Sequence, residues 1–286
     1  RTGEIGRCCC WKSRIARINL GGVPFANSAA PTPNAVLAVI PARLGSTRLP
    51  RKPLRLIGGR PLIVRVWERV CAMNVAGTVV VATDAPEIVE VIAAAGGMAV
   101  LTDATHPSGT DRIAEVAARP EFRAHEVILN VQGDEPFVSA AAVEGALAMV
   151  TVERFPLGTV SARAGEEILA TPHVVKVVSA DDGRALYFSR APIPFLREAG
   201  DAAVRAGIVR QHLGIYAYTR DALAAWVSLP EHPLERVERL EQLRPLAAGL
   251  AMGVATIDEP PPGGVDTEDD LHRANARWND LYDRRR

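Results

Sequence analysis

The segment Pro41-Ala-Arg-Leu-Gly-Ser-Thr-Arg-Leu-Pro-Arg-Lys-Pro-Leu54 carries Arg43, Arg48, Arg51 and Lys52 with no acidic residue among them. Four cations this close repel one another unless an anion lies between them. Gly45 and Ser46 let backbone N–H groups approach that anion, so the residue types point to a polyphosphate site. A solvated basic loop is the alternative, and Pro50 and Pro53 argue against it by stiffening the segment. Neither G-x-G-x-x-G nor G-x-x-x-x-G-K-[ST] occurs here, which disfavours dinucleotide binding and P-loop hydrolysis. Lysine usage adds to the case. Only Lys12, Lys52 and Lys176 among 33 cationic residues are lysines, and a compact, mobile ammonium suits phosphate oxygens in transit.

Two carboxylates stand on other loops of this kind. The apolar run Val127–Val131 leads into Gln132-Gly133-Asp134-Glu135-Pro136, where Asp134 is placed either to hold a hard cation that bridges phosphates or to cap a turn. Glu135 beside it reads as structural. Asp266 lies on the Gly263-Gly264-Val265 loop, ahead of Thr267 and Asp270, which form a capping-box-like helix start. Thr267 suffices as the cap, which leaves Asp266 for a metal. Two carboxylates, phosphate oxygens and water complete a magnesium site. The sequence His106-Pro-Ser-Gly-Thr-Asp-Arg112 offers Ser108, Gly109 and Thr110 as donors at a helix N-terminus. Lys176 and Arg190 sit on candidate strands where they could face an anionic second substrate. His212, in HLGIYAY, is by default a satisfied core histidine.

Elements that position these loops follow from hydrophobic periodicity. Residues 35–40, 78–81, 98–101 and 127–131 are short apolar runs, separated by helical patterns over 61–74, 85–95, 110–118 and 140–150. This alternation predicts a doubly wound, mainly parallel α/β sheet, with ligands beyond the carboxyl ends of its strands. From about residue 157 shorter alternating segments (LGTVSAR, HVVKVVS, RALYFSR, HLGIYAYT) predict an inserted antiparallel β region over about 157–218. Helical patterns return near 219–227 and 234–248, then a strand near 251–256 and a last helix from about Thr267.

The 286 residues include 33 basic and 33 acidic side chains and 48% hydrophobic residues. That composition excludes wholesale disorder, and no stretch is apolar enough to span a membrane. The neutral balance hides a split, because residues 1–34 carry five cations against Glu4 alone. This segment reads as a tail outside the fold, with 35–286 as a single domain. Three of the four cysteines, Cys8, Cys9 and Cys10, are contiguous in it, a spacing that suits neither a disulfide framework nor a zinc site. Cys71 reads as a buried thiol, and a reducing, cytoplasmic compartment is the expectation. The basic cluster is one short loop without interleaved aromatics, so nucleic acid is not an expected partner.

Taken together, IPARLGSTRLPRKPL (40–54), VATD (81–84), HPSGTDR (106–112), NVQGDEP (130–136), ALYFSRAPIP (185–194), HLGIYAY (212–218), LERVERLEQLR (234–244) and GVDT (264–267) resemble the cytidylyltransferases that activate 3-deoxy-manno-octulosonate (Kdo). The resemblance implies a Rossmann-like nucleotidyltransferase fold. It implies transfer of CMP from CTP to Kdo with release of pyrophosphate, for lipopolysaccharide biosynthesis. It further implies that Arg43, Arg48 and Lys52 hold the triphosphate and that Ser108, Gly109 and Gln132 help seat the cytidine. Asp134 and Asp266 would bind Mg2+, and Arg190, His212, Glu241 and Gln242 would line the sugar-acid pocket. Lys52, Arg48, Asp134 and Asp266 are then the expected catalytic set, in a homodimer joined through the inserted β region. The alternatives are another sugar acid (8-amino-Kdo or sialate) or a non-catalytic CTP-binding regulator.

Overall fold

The computed structural model describes residues 33–282. The proposed tail up to residue 32 lies outside them. Pro33 and Asn34 do not belong to it: they open a short 3-10 turn, and the Pro33 carbonyl accepts a hydrogen bond from the Gly77 N–H at 2.6 Å. Pro33, expected in the tail, is thus hydrogen-bonded to the domain.

Strand β1 (Val36–Ala42) shows why an uninterrupted apolar run is needed. Leu37 and Val39 point into one core, whereas Val36, Ala38 and Ile40 point into the other. A strand covered on both faces cannot alternate with polar residues. Strands β4 (Thr78–Thr83), β5 (Met98–Leu101) and β6 (Val127–Asn130) extend this parallel array in the order β6-β1-β4-β5. Helices α1 (Leu62–Ala72), α2 (Pro86–Ala94), α4 (Ala140–Thr151) and α9 (Glu268–Tyr282) cover one face. Helices α3 (Gly109–Ala118) and α6 (Arg220–Ser228) cover the other, while α5 (Ala202–Ile208) buries none of its residues.

The inserted β region is smaller than expected. Strand β10 (Arg210–Thr219) runs antiparallel to β6 on one side and to β7 (Leu157–Arg163) on the other, and β7 pairs in parallel with β11 (Met252–Ile257). Both β7 and β10 are therefore central-sheet strands, buried on both faces. Only β8 (Lys176–Ser179) and β9 (Ala185–Ser189) form an antiparallel excursion, which attaches to β10 at Gln211. A bulge between His212 and Tyr216 accommodates this change of neighbour, with Gly214 at φ +66°.

The expected helix over 234–248 is broken in two, α7 (Pro233–Glu238) and α8 (Leu243–Ala247), at Arg239, whose φ is +54°. Helical periodicity continues through this break, so the pattern alone does not show it. A two-stranded hairpin, β2 (Leu56–Ile57) and β3 (Arg60–Pro61), follows the cationic loop. Cys71, expected to be buried, is a half-buried free thiol whose pKa burial pushes up.

Candidate active site

The carboxyl ends of β1 and β6 open onto a cleft of about 470 Å³, lined by Arg43, Arg48, Lys52, Ser108, Gly109, Gln132, Asp134, Glu241 and Asp266. The cationic loop owes its shape to local contacts. Leu49 is fully buried beneath it, and the Leu49 N–H donates to Ser46 Oγ at 3.3 Å. Arg51 then adopts φ +55° and Lys52–Leu54 make a 3-10 turn that directs Lys52 back into the cleft. The loop after β6 lies against it so closely that a Cβ at position 133 would come within 2.6 Å of the Pro41 carbonyl oxygen. Gly133 is needed at that contact.

Lys52 joins the two predicted carboxylates, which come from positions 82 and 214 residues away in the chain. Its Nζ donates to Asp134 Oδ2 at 2.6 Å and to Asp266 Oδ1 at 2.9 Å, and Arg48 pairs with Asp266 Oδ2 at 3.1 Å. Lys52 is 16% exposed, Asp134 29% and Asp266 44%. Burial lowers the Lys52 pKa, but the two aspartates outweigh it and the net shift is upward. The predicted helix start holds: Asp270 Oδ2 accepts the Thr267 N–H at 2.8 Å, and Thr267 Oγ1 accepts the Asp270 N–H at 3.2 Å. Asp266 is thus released from capping and turned into the cleft. The Val265 N–H donates to the Asp134 carbonyl at 2.9 Å and locks the two acidic loops together. Glu135 packs under Gly264. Burial, then Asp134 and Asp266, push its carboxyl up to about 8.

Among the described residues no three acidic, histidine or cysteine side chains form a metal cage. Two carboxylates that share one cation, both oxygen donors, still fit magnesium. This ion typically takes one or two carboxylates together with phosphate oxygens and water.

At the other end of the cleft Ser108 caps α3, accepting the N–H groups of Thr110 and Asp111 on its hydroxyl. Thr110 Oγ1 donates to Glu241 Oε2 at 2.9 Å. Burial raises the Glu241 pKa, and hydrogen bonds from Thr110 and Ser108 oppose the rise. The Arg239 break carries Glu241 to this position. No local pattern pairs Thr110 with Glu241, since the two are 131 residues apart. The Gln132 amide donates to Asn130 Oδ1 at 3.3 Å, and Asn130 donates to the Tyr218 hydroxyl at 3.2 Å, which orients Gln132 from beneath.

Three of the four residues assigned to a sugar-acid pocket lie outside the cleft lining. Gln242 is buried. His212 is also buried, with Nε2 at 3.0 Å from Thr159 Oγ1 and its ring edge-on to Phe188. The Thr159 hydroxyl donates to the Ile215 carbonyl at 2.7 Å, so His212 Nε2 carries the hydrogen. Burial brings its pKa down to about 3. Arg190 donates through Nε to the Glu238 carbonyl at 2.8 Å and through Nη1 to the Pro172 carbonyl at 3.1 Å, which ties β9 to the Arg239 break. Lys176 does not line the cleft. It is fully buried and donates to the carbonyls of Thr171, Val174 and Arg190 at 3.2, 2.8 and 2.6 Å.

A cytidylyltransferase family model matches residues 37–253. The chain is 62% identical over 247 residues to a 3-deoxy-manno-octulosonate cytidylyltransferase of Gemmatimonas aurantiaca, covering 86% of this chain and 95% of that protein. It is 46% identical over 248 residues to the protein of that name from Polynucleobacter asymbioticus, at 86% and 96% coverage. The solved structure of a CMP:2-keto-3-deoxy-manno-octonic acid synthetase in complex with CTP superposes with a TM-score of 0.80 at 39% identity, covering 87% of this chain and all of that one. A 4-diphosphocytidyl-2C-methyl-D-erythritol synthase from Anaerococcus prevotii shares the fold at 14% identity and a TM-score of 0.58. The chain belongs to the 3-deoxy-manno-octulosonate cytidylyltransferase family.

Proposed function

We propose that this protein transfers CMP from CTP to Kdo, giving CMP-Kdo and pyrophosphate. The observation that carries this reading is the Lys52 ammonium held between Asp134 and Asp266, in a cleft that also collects Arg43 and Arg48. In the reaction the anomeric hydroxyl of the sugar attacks the α-phosphorus of CTP in line and pyrophosphate departs. Such a step asks the protein for positioning and charge neutralisation more than for covalent chemistry.

Each part of the cleft supports one of these tasks. Arg43, Arg48 and Lys52 balance the triphosphate and the charge that grows on the leaving pyrophosphate. Ser108, Gly109 and Gln132 offer donors and acceptors to the cytidine. Asp134 and Asp266 would hold Mg2+, which supplies electrostatic stabilisation at phosphate oxygens when bound. Glu241 accepts the Thr110 hydroxyl hydrogen bond within the cleft lining and is the residue we assign to the sugar. Arg190, His212 and Gln242 lie outside that lining, with Arg190 bonded to the Glu238 carbonyl three residues before Glu241.

Homodimerisation through the 157–218 region belongs to the same reading. Phe195, Val204 and Ile208 there are 81%, 66% and 50% exposed, apolar side chains that a second copy would cover. Phe195→Glu should then shift the sedimentation coefficient to that of a monomer. A cytoplasmic location is also proposed; no helix among the described residues is long and apolar enough to cross a membrane. The test of function is pyrophosphate release with CTP, Mg2+ and a panel containing Kdo, 8-amino-Kdo and sialate. Kdo should give the highest kcat/KM, and release with none of the three acids would end this reading.

A further inference from the structure

Helix α9 starts two residues after Asp266, and its side chains reach the chain that follows both Lys52 and Asp134. After Lys52 the 3-10 turn runs into Arg55, whose guanidinium makes a two-pronged pair with Glu268 at 2.6 and 2.9 Å. The β2–β3 hairpin comes next, and Asn275 grips it. Asn275 Oδ1 accepts the Gly58 N–H at 3.0 Å, and Nδ2 donates to the Leu56 carbonyl at 2.9 Å. Trp278 fills the space where a side chain at position 58 would stand, and Gly58 has φ +53°. The Arg65 guanidinium stacks 3.9 Å from the Trp278 ring. On its other side Trp278 meets Phe137, three residues after Asp134, with ring centroids 6.4 Å apart.

One helix therefore fastens the segments that carry Lys52, Asp134 and Asp266. We infer that Asn275 and Trp278 are positioning residues for the divalent-ion site, setting the spacing of these three side chains through the segments they grip. This rests on the magnesium reading above. A pair of carboxylates from distant loops can share one ion only if both loops are fixed to within a fraction of an ångström. The backbone bond from Val265 to Asp134 fixes one pair of loops. The clasp by α9 fixes the third against them. Partners that hold metal ligands in place commonly contribute 10–100-fold to metal affinity.

Mn2+ is the probe, its binding followed by electron paramagnetic resonance with CTP present and sugar acid absent, so that no turnover occurs. Asn275→Ala should weaken Mn2+ binding roughly ten-fold, and Trp278→Ala likewise, while KM for CTP at saturating metal stays within about two-fold. Trp278→Phe, which keeps a ring against Gly58, should recover most of the affinity. Glu268→Gln reads the outer end of the clasp if an alanine variant does not fold, and should shift affinity in the same direction. Arg205→Ala, which breaks an ion pair with Glu166 elsewhere, is the control and should leave Mn2+ binding unchanged. Folded Asn275→Ala and Glu268→Gln proteins with wild-type Mn2+ affinity would overturn the inference while Asp266→Asn still loses the ion. If Asp266→Asn binds Mn2+ as the wild type does, the magnesium reading fails and this inference goes with it.

Discussion

Replacing Lys52 by methionine removes the cation that two carboxylates share, and the structure sets the size of the effect. Losing the ammonium removes two attractions, at 2.6 and 2.9 Å, that offset the repulsion between aspartate oxygens no more than about 5.5 Å apart; at an effective dielectric of about 20 that repulsion is about 3 kcal/mol, and only Arg48 then opposes it. Water reaches both groups, since they are 29% and 44% exposed, and screening leaves about 1 kcal/mol. For a domain of this size that lowers Tm by about 2–4 °C in metal-free buffer. Magnesium should then act differently on the two proteins. In the variant the ion meets two carboxylates of which only Asp266 keeps a cationic partner, Arg48, and at ten times its Kd it returns about 1.4 kcal/mol. In the wild type it must displace the Lys52 ammonium, so the gain is smaller. Differential scanning fluorimetry across a Mg2+ titration measures both curves, and pyrophosphate release should be about 10²–10³-fold slower in the variant. Equal Mg2+ shifts in the two proteins, or a Tm deficit that magnesium does not touch, would refute the shared-cation argument.

Asp134→Asn and Asp266→Asn should each abolish most turnover with the fold intact, as seen in pyrophosphate release at limiting magnesium and an unchanged circular dichroism spectrum. Thr110→Val removes the hydroxyl that orients Glu241, and should raise KM for the sugar acid several-fold while KM for CTP holds; a rise in the CTP value instead would move Glu241 to the nucleotide. His212 gives the pH dependence. Its folded pKa of about 3 lies below the unfolded value of about 6.5, so the stability it contributes is present above pH 6.5 and is lost as pH falls toward 3. At pH 5 that loss is about 2 kcal/mol. His212→Gln should therefore flatten the acid limb of a stability–pH curve between pH 6.5 and 4, and an unchanged limb would exclude the histidine as its source.

The parts of this molecule that were legible in the sequence are those where neighbouring residues carry the signal. An apolar run such as Ala35–Ile40 cannot be covered on one face only, and the cationic loop declares its partner by its own repulsion. Helix ends marked by Ser108 and Thr267 are equally local. Long-range geometry was not legible. That Lys52 meets both aspartates depends on loops far apart in the chain, and that Thr110 meets Glu241 depends on a reversal at Arg239 that no glycine announces. The segment HLGIYAYT, by its short, alternating pattern, predicts an excursion from the core sheet. It is instead wedged into the main sheet with both faces buried, and tertiary packing overrides the local pattern. Lys176 misled in the opposite sense: a lone lysine in an arginine-rich chain suggested a ligand, whereas its ammonium satisfies three backbone carbonyls.

The antiparallel strand at the middle of the sheet has a consequence for how the chain is made. Among the described residues, 157–163 pair only with segments that follow them, the nearer starting at position 210 and the farther at 252. While the ribosome adds those intervening residues, at about 5–20 per second, an apolar strand with two unpaired edges waits for several seconds. The β8–β9 hairpin closes locally during that interval, but it cannot shield the waiting segment, to which it never binds. Slow synthesis through 164–210 should thus favour chaperone capture of nascent chains, and the half of the domain carrying Arg43 and Asp134 should be in place before the half carrying Asp266 arrives.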